Sequence, residues 1–150
     1  LIIREMQPQD FDTVVDMYEA MCKEVYPHRT FNGREAFEKN VAFWVKLNFD
    51  ILVTVHQDEV VGFMMCFYDD MGGIVEPFYK FECAYIKPKY RNSRAVILMR
   101  NTMLSYADRE DIIIQCNASL LTQSSKIISK FGIEIFKTYE RMPNGLHHML

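Results

Sequence analysis

The stretch FYKFECAYI, residues 78–86, has the aromatic and branched content of a strand. A basic turn follows, then SRAVILMRNTMLSYADRE at 93–110, which reads as a helix, then the short apolar run DIIIQCN. A strand that returns beside its predecessor after a helix must run parallel to it. Residues 79–116 therefore predict a βαβ unit, with Cys83 and Cys116 on adjacent, locally parallel strands.

What precedes the unit limits the sheet further. LIIREM reads as a first strand. In the next segment Phe11, Val14, Val15, Tyr18, Met21, Cys22 and Val25 trace one face of a helix, with Pro8 and Asp10 at its start. A second helix is expected from Arg34 to Leu47, with Phe37, Val41, Trp44 and Val45 on one side. Residues 50–70 are two strand-like runs around Gln57, Asp58 and Glu59, hence a hairpin. With residues 78–86 they predict an antiparallel meander. The helix at 93–110 is apolar over much of its surface, as a buried helix would be. After Cys116 a helix carrying Leu120, Ile127, Ile128 and Phe131 is expected, capped by Gly132, then a last long strand and a short edge strand. The order is β-α-α-β-β-β-α-β-α-β with a further terminal strand open: one α+β domain over 1–150, a mixed central sheet with helices on both faces.

Composition narrows the partners. A net charge of -3 argues against nucleic acid as the main one, although a local basic patch can still take phosphate. No run of about 18 apolar residues is present, so no membrane span is expected. LIIREM is too short and too soon charged for a signal peptide. Cys22, Cys66, Cys83 and Cys116 form no C-x-x-C pair, and three lie in apolar runs; buried, reduced thiols in a cytoplasmic protein are expected, and no metal site.

Taken together, IREMQPQDFDTVVDMY, DEVVGFMM, AYIKPKYRNSRAVILM and ISKFGIEI occur in the order seen in the GNAT superfamily of acyl-CoA-dependent N-acyltransferases, which the chain resembles over nearly its whole length. The resemblance implies the GNAT-like fold. It implies acetyl-CoA, or another acyl-CoA, as co-substrate and an amine on a small molecule or a protein as acceptor. A homodimer stays open. In the family a loop of the form Q/R-x-x-G-x-G/A holds the pyrophosphate of coenzyme A on its backbone N–H groups. Here Arg91, Asn92, Ser93, Arg94, Ala95 and Val96 fill that window. Arg91 matches; Arg94 and Val96 stand where small residues are expected. Any residue supplies amide donors, and an arginine adds charge, whereas the branched Cβ of Val96 crowds the first helical turn. The other reading of this stretch is a solvated basic loop.

The resemblance also places a general base on the strand before that loop. Glu82 is the acid within it. Two readings of Glu82 stay open: a half-buried base, or a side chain that meets solvent or a lysine. The thioester carbonyl is expected against a backbone N–H somewhere in Cys83 to Ile86, near a bulge on that strand, so that Tyr85 and Ile86 count among the cofactor contacts. Asn117 would bond the pantetheine arm or cap a helix, and Ser124 would touch the cofactor or solvent. The tyrosine that protonates the departing thiolate in many members falls at Ile128, which cannot donate a proton. Two classes of function follow: an N-acyltransferase, or a binding or regulatory module that has lost turnover. Tyr26, His28, Phe31, Trp44, Phe67 and Tyr68 are candidate linings for the acceptor.

Overall fold

The computed structural model describes residues 1–91, 94–110, 112–116 and Pro143. In chain order these form β1 (Ile2–Glu5), α1 (Phe11–Val25), α2 (Arg34–Lys46), β2 (Asp50–His56), β3 (Glu59–Asp69), β4 (Phe78–Ile86), α3 (Arg94–Glu110) and β5 (Ile113–Cys116). The sheet order is β1-β2-β3-β4-β5. The first three pairings are antiparallel and the last, β4 with β5, is parallel. Phe81 lies opposite Cys116, so the βαβ unit forms as the sequence predicts. The result is a mixed sheet with the GNAT-like α+β topology. The helix and strands expected after Cys116 lie outside the described residues, as do Asn117, Ser124, Ile128 and Gly132.

The β2–β3 hairpin closes at Gln57 and Asp58, both with positive φ (49° and 64°), the backbone of a type I′ turn. Alternation along the strands then divides the apolar residues between two cores. Ile51, Val53, Phe63 and Met65 face α1 and α2, where they meet Val14, Val15, Phe37 and Val41. Leu52, Met64 and Cys66 face α3 and meet Met99 and Met103. Each fully buried side chain of this size contributes about 1.5–3 kcal/mol. One glycine is needed here for close approach. A Cβ on Gly62 of β3 would lie 2.8 Å from the carbonyl oxygen of Tyr85 on β4.

Two expectations are corrected. Val45 of α2 is exposed, because the face buried by Phe37 and Val41 passes to Trp44 and leaves Val45 to its side. The α3 helix is not buried all round: Ala95, Met99 and Met103 pack inward while Ile97 is half exposed. It covers one face of the sheet and turns the other side to solvent. All four cysteines are free thiols. Burial pushes the Cys66 and Cys116 thiols up to about 11, so both stay protonated at neutral pH. Among the described residues no helix is long and apolar enough to cross a membrane, and no group of three metal-ligating side chains converges.

Candidate functional site

The irregularity in β4 sets the geometry of the site. Met65 pairs with Cys83 and Cys66 pairs with Phe81, so the register shifts by one residue at Glu82. It is the extra residue of a β-bulge, directly before the Cys83–Ile86 stretch in which a backbone N–H near a bulge is expected. The bulge changes which way β4 faces. Tyr79 and Phe81 belong to the core under α3, whereas Cys83 and Tyr85 pack on the side of α1 and α2. Lys80, between Tyr79 and Phe81, shares that second side.

Glu82 is half-buried, and its Oε2 lies 2.9 Å from Lys80 Nζ. The same ammonium lies 5.8 Å from the centre of the Phe67 ring. Phe67 stacks on Phe49 (4.4 Å), and Phe49 on Trp44 (6.2 Å). A carboxylate, an ammonium and a short aromatic stack thus meet at the bulge. Glu82 is half-buried, and it makes the lysine pair that the second of its two readings expects. Lys80 escaped the sequence reading, although an acid and a lysine two apart on one strand share a face and could have signalled it.

The turn after β4 is held at several points. The Lys87 N–H donates to the Val61 carbonyl (2.9 Å). Lys87 Nζ and the Tyr90 hydroxyl reach the two oxygens of Glu59 at 3.0 and 2.9 Å. Those bonds, Lys87 first, hold the Glu59 carboxyl below its usual range. Arg91 donates from both terminal nitrogens to the Glu24 carboxylate at the end of α1 (2.6 and 2.7 Å) and from Nε to the Ile86 carbonyl (2.8 Å). Its guanidinium also lies over the Tyr85 ring, 5.2 Å from the centre. The basic turn is thus no freely solvated loop, for two of its cations are committed to carboxylates.

Of the residues expected at the cofactor, Ile86, Arg91, Arg94, Ala95 and Val96 gather at the junction of β4 and α3. The side chain of Ile86 packs against the core under α3, and that of Tyr85 is buried in the core on the α1 and α2 side. Arg94 opens α3 with its side chain exposed; Ala95 is buried and Val96 half-buried. Asn92 and Ser93 lie outside the described residues.

A groove of about 720 Å³ opens between α1, α2 and their connection. Tyr18 and Cys22 form its floor, Tyr26, Phe31 and Phe37 its apolar walls, and Arg29 and Lys39 are its cations. Asn40 Nδ2 donates to the Tyr18 hydroxyl (3.3 Å), and burial keeps that phenol and the Cys22 thiol protonated. Cys83, the residue next to Glu82, packs against the apolar cluster to which Cys22 belongs. Of the expected acceptor linings, Tyr26 and Phe31 are in the groove; Trp44 and Phe67 belong to the adjoining stack, His28 sits beside Tyr26, and Tyr68 is exposed.

No protein-family model matches the chain, and no curated protein matches its sequence. Solved structures do match its fold. A possible acetyltransferase from Clostridium difficile 630 superposes with a TM-score of 0.73 at 16% identity, covering 97% of this chain and 98% of that one. A predicted acetyltransferase with acetyl-CoA from Clostridium acetobutylicum gives 0.70 at 12% identity, covering 99% of each. A transcriptional regulator from Bacillus halodurans C-125 gives 0.70 at 14%, covering 94% of this chain and 97% of that one. At these identities the likeness is one of fold.

Proposed function

We propose that the protein is a member of the GNAT superfamily and an acyl-CoA-dependent N-acyltransferase, with acetyl-CoA as donor and a primary amine as acceptor. One observation carries the reading: Glu82 is the bulged residue of β4, half-buried, on the side of the sheet that carries the α1–α2 groove. The described residues fit the donor. The N-terminus of α3 presents amides at the end of β4, Arg94 is exposed there, and the Ala95 side chain turns inward. Arg94, Ala95 and Val96, with Asn92 and Ser93 before them, would hold the pyrophosphate; Asn117 and Ser124 would extend the contact, with Tyr85 and Ile86 along the strand.

When bound, the donor supplies a thioester carbonyl open to attack. Glu82 accepts the proton of the incoming amine, directly or through one water, as the new N–C bond forms and the C–S bond breaks. Lys80 holds the Glu82 carboxyl in place and gives it a charge partner. A backbone N–H near the bulge, within Cys83 to Ile86, would donate to the carbonyl oxygen. The thiolate leaves with a thiol pKa near 8.5 and takes its proton from solvent, which suits the isoleucine at position 128.

A second reading has its own support. Arg94 and Val96 replace small residues, and a regulator shares the fold, so a binding or regulatory module without turnover is the alternative. Calorimetry with acetyl-CoA, followed by turnover of the wild type and of Glu82→Gln, separates them. The enzyme reading expects acetyl-CoA binding in both proteins and a loss of turnover of about 100-fold or more in the variant. Binding without turnover for any amine favours the module. Unchanged turnover in Glu82→Gln removes Glu82 as the base.

A further inference from the structure

Lys80 stands where an acceptor amine would have to stand. A base that takes a proton directly from an amine needs that nitrogen within about 2.6–3.2 Å of its oxygen. Lys80 Nζ lies 2.9 Å from Glu82 Oε2. It is itself a primary amine, carried on the same strand two residues before the acid. A strand advances about 3.3 Å per residue, so a side chain that meets Glu82 leans along β4 toward the bulge. The Phe67 ring, 5.8 Å from the ammonium and stacked on Phe49, flanks it. The other ion-paired lysines are placed differently. Lys23 and Lys39 pair with acids of their own helices, and Lys87 pairs with Glu59 at the hairpin.

We infer that Lys80 is a site of self-acylation: its Nζ takes the acyl group of a bound acyl-CoA when no external amine is present. The inference rests on the acyltransferase reading and adds an internal acceptor to the same site. The step balances as an aminolysis. The ammonium gives one proton to water and becomes the amine. Its lone pair forms the N–C bond as the C–S bond breaks. The second proton passes to Glu82 and on to solvent, from which the thiolate takes its own. The products are an amide on Lys80, coenzyme A as the thiol, and one proton. Two effects oppose each other. The pair with Glu82 must open for attack, which costs the rate about tenfold for side chains so partly exposed. Against this, a well-placed group within one complex reacts with an effective molarity of about 10⁵–10⁸ M, so a small part of that advantage decides for Lys80. Acylation turns the ammonium into a neutral amide and withdraws the charge partner of Glu82.

The test needs no external acceptor. Calorimetry with acetyl-CoA comes first; lack of binding overturns the acyltransferase reading and this inference with it. The protein is then incubated with acetyl-CoA, and acetylation at each lysine is followed by peptide mass spectrometry. A second sample receives sulfosuccinimidyl acetate, which acylates amines from solution without a binding site. Lys39 is the reference, with a side chain 76% exposed against 25% for Lys80. The reagent reports how open each amine is. The ratio of Lys80 to Lys39 modification is expected to rise by about tenfold or more when acetyl-CoA replaces the reagent. Excess coenzyme A, which competes for the donor site, should abolish that rise in the wild type. Glu82→Gln should abolish it too, while the reagent still modifies Lys80. If that variant fails to fold, the competition in the wild type decides alone. If the ratio does not rise, or if the rise survives excess coenzyme A or a folded Glu82→Gln, the inference falls. The acyltransferase reading then stands wherever an external amine is turned over and Glu82→Gln loses that turnover.

Discussion

Arg91 ties the turn after β4 to α1, and its role is open to direct measurement. The sequence places it at the first position of a phosphate-binding window, whereas the structure shows its guanidinium held by Glu24 in a two-point contact at 2.6 and 2.7 Å, with a third bond to the Ile86 carbonyl. The two side chains are 35% and 31% exposed, which sets the scale. Exposed pairs contribute about 0.2–1 kcal/mol, and breaking a fully buried pair costs about 3–5 kcal/mol. A half-buried, bidentate pair lies between, at about 1–2 kcal/mol. For a chain of this length that corresponds to a fall in Tm of about 2–8 °C. Glu24→Gln, Arg91→Gln and the double variant, each unfolded in urea, measure it as a coupling energy.

The clamp predicts that the two single variants are destabilised and that the double variant is less so than their sum, by that coupling. Arg91→Gln should be the worse of the two, since it also gives up Ile86 and the Tyr85 ring. Acetyl-CoA affinity should fall in both single variants, because loosening either end of the clamp loosens the turn. A phosphate ligand predicts a different pattern: Arg91→Gln weakens acetyl-CoA while Glu24→Gln, which releases the arginine, strengthens it. A coupling within about 0.5 kcal/mol of zero, the usual error of additivity, refutes the clamp.

Three further outcomes are expected. Gly62→Ala places a Cβ 2.8 Å from the Tyr85 carbonyl oxygen, and should cost about 1–3 kcal/mol in urea unfolding, with a Tm several degrees lower. Asp10 is buried and held below the usual carboxylate range, by its bond from Arg4 before all else, so it contributes stability that is present above its unfolded pKa of about 3.9 and is lost as pH falls through the folded value; Asp10→Asn should therefore be less stable than the wild type at neutral pH, and the two should converge in acid. Arg94→Gly should weaken acetyl-CoA binding at low ionic strength and flatten its dependence on salt, because an exposed side-chain charge is screened; tighter binding by the variant would show that Arg94 obstructs the turn.

What was legible in the sequence is what depends on neighbours along the chain. The periodicity of Phe11, Val14, Val15 and Cys22 marks α1, and β4 runs over 78–86 as its composition suggests. The parallel pairing with β5 follows from the intervening helix. The rest depends on distance in space. Arg91 and Glu24 are 67 residues apart, so nothing near either one announces the other. Ile97 and Val45 are apolar and exposed, and a period alone does not say how wide a buried face is. The α1–α2 groove is assembled from residues that read in isolation as core aromatics and surface cations.

The bulge at Glu82 joins fold and chemistry in one feature. Without it, Tyr79, Phe81, Cys83 and Tyr85 would occupy one face of β4, because side chains alternate with a period of two. One core would then have to accept four large or sulfur-bearing side chains, and the other would receive Lys80, Glu82 and Ala84. The extra residue divides the four instead, two to the core under α3 and two to the core under α1 and α2. The same slip leaves Glu82 beside Cys83 on the groove side, with Lys80 2.9 Å from its carboxylate. A strand that must serve two cores therefore sets, at the point where it changes allegiance, a carboxylate that is half-buried and held in place. The position of the acid follows from the packing of residues on either side of it, so an acid elsewhere on β4 would lack both the bulged backbone and the lysine that accompany this one.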